Sequence, residues 1–157
     1  LGVCVSKVGT SSSIPSITRV GMSFELYPTA LGKAILAYLP QKELKDYLDK
    51  TEFIPYTEKT ISNREELKKE LERTKKRGYS IDNEEHRKGL HAMGVPIFDY
   101  TNHVIGAISV LIPASISQEE TTELYTDLHQ AALDISHKLG NRHLFEDDYI
   151  VNEQAVN

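Results

Sequence analysis

The chain has 157 residues, with 23 acidic side chains against 18 basic ones and a formal net charge of −5; this fits one compact domain and leaves no basic surface of the kind that follows nucleic-acid phosphates. Hydrophobic residues at 39% and charged ones at 26%, with a mean hydropathy of −0.37, exclude the low-hydrophobicity signature of disorder. The one cysteine, Cys4, excludes an internal disulfide or a thiolate metal cluster, and no apolar run has the length of a membrane span or the layout of a secretory leader, so a cytoplasmic setting is expected.

Residues 1–8 alternate, with Leu1, Val3 and Val5 on one side and Gly2, Cys4 and Ser6 on the other, which predicts a strand turning at Gly9-Thr10. Residues 14–20 predict its partner strand, stopped by Gly21, with Pro15 marking an unpaired edge. After Pro28, Thr29 is a suitable N-cap, and Leu31, Ala34, Ile35 and Tyr38 recur at helical spacing until Pro40. A short helix over 41–49 follows, with Leu44, Tyr47 and Leu48 on one face.

Two helices announce their starts. Ser62-Asn63-Arg64-Glu65 is a capping box, followed by Glu65/Lys69 and Glu72/Lys76 pairs at i,i+4 and a stop at Gly78, which predicts a solvated surface helix. Ser117-Gln118-Glu119-Glu120 is a second box, leading into Leu124, Leu128, Ala131, Ala132, Ile135 and Leu139, a stripe expected to cover a sheet and end at Gly140. Between them, strands are predicted over 79–82, 90–98 and 103–112, the last two joined by a turn at residues 99–102. Both faces of the third strand are nearly apolar, so it is expected to be central in a mostly antiparallel sheet. Residues 141–157 form an acidic, weakly patterned tail.

Small or polar residues fall where a packed core prefers bulk. Ala92 and Gly94 share one strand face and leave room for a ligand or another backbone, and Ser109 interrupts an apolar face where a buried hydroxyl needs a partner. Asp82 heads a polar connection over 83–89. Opposite them stands the start of the Thr29 helix, whose first amides, on Ala30, Leu31 and Gly32, lack intrahelical acceptors and attract anions. Each feature also has a plain structural explanation: a satisfied core serine, small residues that admit a helix, an aspartate that caps a turn.

The segment from Tyr27 to Pro40, Y-P-T-A-L-G-K-A-I-L-A-Y-L-P, resembles a stretch found in regulators of the IclR family. Tyr56-Thr57 with Thr60-Ile61, then R-G-Y-S-I-D-N-E-E from Arg77, then Pro96-Ile97-Phe98-Asp99 with Gly106-Ala107-Ile108-Ser109-Val110, resemble further segments of the same family, in order and at matching spacing. The resemblance implies an α+β, GAF/PAS-like effector-binding domain over 1–140: a central, mostly antiparallel sheet with helices on one side and a ligand cup on the other. It also implies an N-terminal winged helix-turn-helix domain, which these residues do not include, that would contact operator DNA. Homodimers or tetramers answering to small organic acids or aromatic metabolites are the further implication, with no cofactor.

Carried over position by position, the family's effector contacts fall on the amides of Ala30 and Leu31, on Asp82 and on Ser109. Two positions depart from the glyoxylate- and pyruvate-sensing type: Ala92 stands where a cysteine would be and Leu111 where a second serine would be, implying a more apolar cup. Leu31 replaces a smaller residue, and Phe24 is a candidate apolar wall.

Three other readings stand beside this one. Catalysis has little to rest on, since one cysteine cannot form a resolving disulfide and no nucleophile elbow, phosphate loop or zinc helix is present. His86 and His91 with Asp82 and Glu85 could gather around a divalent ion, although scattered histidines produce such groupings by chance. The domain could also be a dimerisation module that binds no ligand.

Overall fold

In the computed structural model, residues 1–9, 18–112 and 115–142 are described. Two short strands, β1 (Gly2–Val3) and β2 (Ser23–Phe24), pair antiparallel, and Cys4 extends their ladder through backbone bonds to Met22 and Gly21. Helices α1 (Ala30–Tyr38), α2 (Gln41–Lys50) and α3 (Arg64–Arg77) follow, then strands β3 (Ser80–Asn83), β4 (His91–Phe98) and β5 (Val104–Ile112), and finally helix α4 (Gln118–Lys138). The main sheet has the order β3-β4-β5 and is antiparallel throughout.

The expected long strand over 1–8 is therefore shortened to two residues, while most of its expected partner, residues 14–17, lies outside the described residues. Among the described residues β4 is central and β5 is at an edge, the reverse of the sequence expectation. Burial follows that order: β4 is buried along nearly its whole length, whereas β5 is mostly half-buried, with Ile105 54% exposed. The α4 side takes Met93, Val95 and Ile97 from β4 with Ile108 and Val110 from β5, and a core closes there against Tyr125, Leu128 and Ala132. A second core, Leu26, Tyr27, Leu36, Ala37, Leu48, Leu67 and Leu71, lies among α1, α2 and α3. Helices thus occupy both sides of the sheet rather than one.

Helix starts and stops follow local chemistry. Thr29 Oγ1 accepts from the Gly32 amide at 3.1 Å to cap α1, and the Ser117/Glu120 box of α4 is complete in both directions. The cap of α3 sits one residue later than expected: Asn63 Oδ1 accepts from the Glu66 amide at 2.9 Å, while Glu66 reaches back to the Ser62 amide. On this helix the ion pairs are Lys68–Glu65, Arg73–Glu70 and Arg77–Glu70 rather than the i,i+4 pairs expected. Gly78 ends α3 with φ of 82°, the left-handed conformation that glycine adopts without strain. The turn after β4 forms as expected, with Asp99 Oδ1 accepting from the Thr101 and His103 amides.

The sheet and α1 approach each other at backbone distance. A Cβ on Gly94 would lie 2.7 Å from the Ala30 carbonyl oxygen, and one on Gly32 would fall inside the backbone of Leu26. Gly94 is therefore small to admit the helix, not to make room for a ligand. Gly32→Ala is expected to displace the Leu26 segment and destabilise the domain by about 2 kcal/mol or more, measured by chemical denaturation; unchanged stability would mean that the close contact is absent in solution.

Candidate functional site

A cavity of about 280 Å³ opens between the start of α1, the small side chains of β4 and β5, and the β1/β2 hairpin. Ala30 and Leu31 stand at its helical end, Asp82 and Ala92 on its sheet wall, and Ser109 and Phe24 complete the set brought together from the sequence. The pairing register explains the sheet wall: Asp82 is opposite Ala92, and Gly94 is opposite Ser109, so these side chains share one face of three adjacent strands. Leu111, opposite Ala92, and Gly32 are outside the lining.

At the helical end, Thr29 accepts from the Gly32 amide and the Lys33 amide bonds the Thr29 carbonyl, which leaves the first-turn amides of Ala30 and Leu31 without intrahelical acceptors beside the cavity. Gly32 is corrected from ligand contact to structural residue, because its own cap satisfies it. Ser109 is also corrected: it sits on an edge strand and is exposed, so its hydroxyl faces the open cavity instead of a closed core.

Asp82 is almost fully buried, at 2% exposure. Its Oδ1 accepts from the Glu85 amide at 2.8 Å, and burial pushes its carboxyl up to about 6 against the opposing pull of that bond and of Lys33. The carboxyl therefore titrates close to neutrality and can serve as acceptor or donor. Next to it, fully buried Lys33 is ion-paired with Glu85 Oε1, while Glu85 Oε2 is buried with no hydrogen-bond partner. Burial raises the Glu85 carboxyl as well, with Lys33 opposing.

The polar connection over 83–89 is fastened at several points. Thr57 and Thr60 donate to the carbonyls of Glu84 and Glu85, Lys59 is paired with Glu84, and the Gly89 amide bonds Glu84 Oε1 at 2.7 Å. It is a fixed wall. The groups considered for a metal are engaged elsewhere: Asp82 bonds backbone, Glu85 holds Lys33, and His86 packs on Tyr56 with ring centres 5.4 Å apart. Among the described residues no group of three histidine, cysteine or acidic side chains is placed to hold a metal ion.

Sequence reasoning missed much of the remaining lining. Tyr56 and His86 form one aromatic side, and burial keeps the His86 imidazole below its usual range. Glu25 brings a second carboxylate, and Leu1 and Met22 come from the β1/β2 hairpin. Only the turn residues before Thr29 could have hinted at Glu25; the others converge through tertiary contact. A larger hollow, about 440 Å³, lies over α3, and several of the charges on its walls are paired with one another or with neighbours, Glu70 with Arg73 and Arg77 and Lys59 with Glu84.

Two outcomes test this electrostatic arrangement. Lys33→Met alone strands Glu85 and is expected to cost about 3–5 kcal/mol in denaturant unfolding, most of which the added Glu85→Leu recovers; equal loss in both variants would show that packing, not charge, dominates. The Asp82 carboxyl holds its proton more tightly folded than unfolded. Its contribution to stability is therefore fully present below about pH 4 and is lost as pH rises through about 6. Asp82→Asn is expected to shrink the gain in stability between about pH 7.5 and about pH 4.5, and an identical pH profile would remove Asp82 as its source.

Residues 2–137 match the family described as bacterial transcriptional regulator IclR C-terminal. Over 139 residues the chain is 35% identical to the HTH-type transcriptional regulator KdgR of Escherichia coli (strain K12), covering 88% of this chain and 53% of that protein; it thus spans about half the length of that relative. Among solved structures it resembles the Thermotoga maritima IclR at 47% identity and a TM-score of 0.83, over 88% of this chain and 57% of that one. The C-terminal domain of E. coli KdgR aligns at 38% identity and a TM-score of 0.75, over 77% of this chain and 74% of that one.

Proposed function

The chain belongs to the family of bacterial transcriptional regulator IclR C-terminal domains, a family of regulators and not of enzymes, and on that premise we propose that it is the sensing part of such a regulator, binding a small organic carboxylate in the cavity between α1 and the sheet. The observation that carries this reading is the pairing of opposite ends in one cavity of about 280 Å³: unbonded helix-start amides at Ala30 and Leu31, and polar groups of Asp82 and Ser109 across from them. That volume suits a molecule smaller than a drug-sized ligand. The ligand's carboxylate would rest on the α1 amides, and a hydroxyl or keto oxygen would face Asp82, whose proton near neutral pH lets it serve either partner. Ala92, Phe24 and Leu31 supply the apolar sides.

The solved inducer-binding domain of a double mutant of PobR from Acinetobacter, in complex with 3-hydroxy benzoic acid, shares the fold at a TM-score of 0.70 and 19% identity. It supports the idea that this fold accommodates a hydroxylated carboxylate. Operator DNA would be read by an N-terminal winged helix-turn-helix domain outside these residues, in keeping with the −5 charge of the present chain and its coverage of about half of KdgR. The regulator would act in the cytoplasm; among the described residues no helix is long and apolar enough to cross a membrane. A ligand shifts DNA binding only through its different affinities for two arrangements of the protein. With the 83–89 wall pinned, the β1/β2 hairpin, which supplies Leu1, Met22 and Phe24, is the element positioned to differ.

The test is a thermal-shift panel of hydroxy, oxo and aromatic carboxylates. A binder present at about 100 times its Kd adds about 2.7 kcal/mol and raises the melting temperature by several degrees. Ala92→Leu and Ser109→Leu are expected to abolish that shift while leaving the unliganded protein folded. A response that survives in both variants would place the ligand elsewhere, and silence across the panel would favour a module that only assembles.

A further inference from the structure

No lysine or arginine side chain stands on the walls of the cavity between α1 and the sheet. Its ionisable side chains are Glu25, Asp82, Tyr56 and His86. The His86 imidazole is uncharged at neutral pH, because burial, and after it the charge of Arg87, holds it below the usual range. Lys33 is paired with Glu85 and Arg87 is exposed, and neither joins the lining. Every lysine and arginine of the sequence falls among the described residues, and the ion pairs they form leave Glu25 out. A plain monoanion resting on the α1 amides therefore shares the cavity with two carboxylates. The helix start carries roughly half an elementary charge, which offsets only part of one of them.

Glu25 is held beside the helix end. It follows β2 directly, and Thr29 Oγ1 donates to its carbonyl at 3.2 Å while the same hydroxyl caps α1. Its charge lies close enough to Tyr56 to add to the burial that already raises that phenol. Tyr56 packs on His86 with ring centres 5.4 Å apart, and Phe24 lines the same cavity. A carboxylate among uncharged aromatic rings is the chemistry that holds an organic cation: the acid supplies the charge, and the negative faces of the rings add a second attraction. A hydroxyl group would take one lone pair of Glu25 and leave its charge unbalanced. We propose that the ligand is a zwitterion, an amino carboxylate whose ammonium group sits at Glu25 with the Tyr56–His86 pair while its carboxylate rests on the Ala30 and Leu31 amides. This assignment rests on the cavity being the ligand site and adds the class of molecule it selects. Such a guest brings no net charge into a wall of acids, whereas an anion of the same size is repelled, so selectivity comes from both attraction and exclusion.

The experiment is isothermal titration calorimetry on the 157-residue chain at neutral pH, with far-UV circular dichroism to follow folding. The probes are straight-chain ω-amino acids of two to six carbons, each beside the ω-hydroxy acid and the unsubstituted acid of the same length. At the length that fits, the amino acid is expected to bind at least tenfold tighter than both counterparts. Glu25→Gln is expected to cut that advantage to threefold or less, and Glu25→Lys to reverse it, making the dicarboxylic acid of that length the tighter ligand. Hydroxy or unsubstituted acids that bind the unmodified chain as tightly as the amino acids would overturn the zwitterion and leave carboxylate sensing in place. An advantage that both Glu25 variants keep would overturn the placement of the ammonium group. If none of the amino acids binds while oxo or aromatic acids still raise the melting temperature, the ligand class alone is wrong; silence from every acid in both experiments removes the sensing reading with it.

Discussion

The first turn of α1 meets the central strand with almost no side chain between them. Gly94 leaves room for the Ala30 carbonyl, and the Ser80 hydroxyl donates to that same carbonyl at 2.5 Å, so a helix end, a central strand and its neighbour are fixed at one point. Gly32 lets the same turn lie on the Leu26 backbone. Because the register of β3, β4 and β5 is continuous through this contact, the position of Asp82 relative to the Ala30 and Leu31 amides is set by backbone geometry. A cavity framed in this way keeps its polar ends in place when surface side chains change.

Polar groups reinforce the same junction. Lys33 is buried one turn into α1 and reaches Glu85, while Asp82 accepts from the Glu85 amide, so a buried cation, a buried carboxylate and the cavity's own acid are linked in a single cluster. Such an arrangement contributes little net stability because desolvation offsets the attraction, but its loss on one side leaves a stranded charge. It ties the 83–89 connection to α1 and so holds one wall of the cavity stationary. Movement, if sensing requires it, is directed to the opposite wall, where β1 and β2 share only a short ladder.

The two faces of the sheet divide the labour. The α1 side carries the cavity and the denser helical core, and the α4 side carries a core that ends partway around the helix. One face therefore presents a hollow, and the other a helix whose apolar residues the sheet covers only in part. The excess apolar character of β5, legible as a run with no charge from Val104 to Ile112, is similarly only half used by the described neighbours of that strand.

Local chemistry was sufficient to read several features from the residues alone: the Thr29 cap, the Ser117 box, the stop at Gly78, the turn at Asp99, the family, and the α+β class. Each depends on residues a few positions apart, or on ordered segments compared with a known pattern. Six of the eight site residues drawn from the sequence line the cavity, since strand alternation places Asp82, Ala92 and Ser109 on one face. Gly32 fell away because its amide is taken by the Thr29 cap, while Leu111, on the same sheet face as Ala92 and Ser109, lies outside the lining. The edge position of β5, the pinned 83–89 wall, the buried Lys33–Glu85 pair and the convergence of Glu25, Tyr56 and His86 were settled only by tertiary structure, because each joins groups distant in sequence whose meeting depends on how helices pack across a sheet.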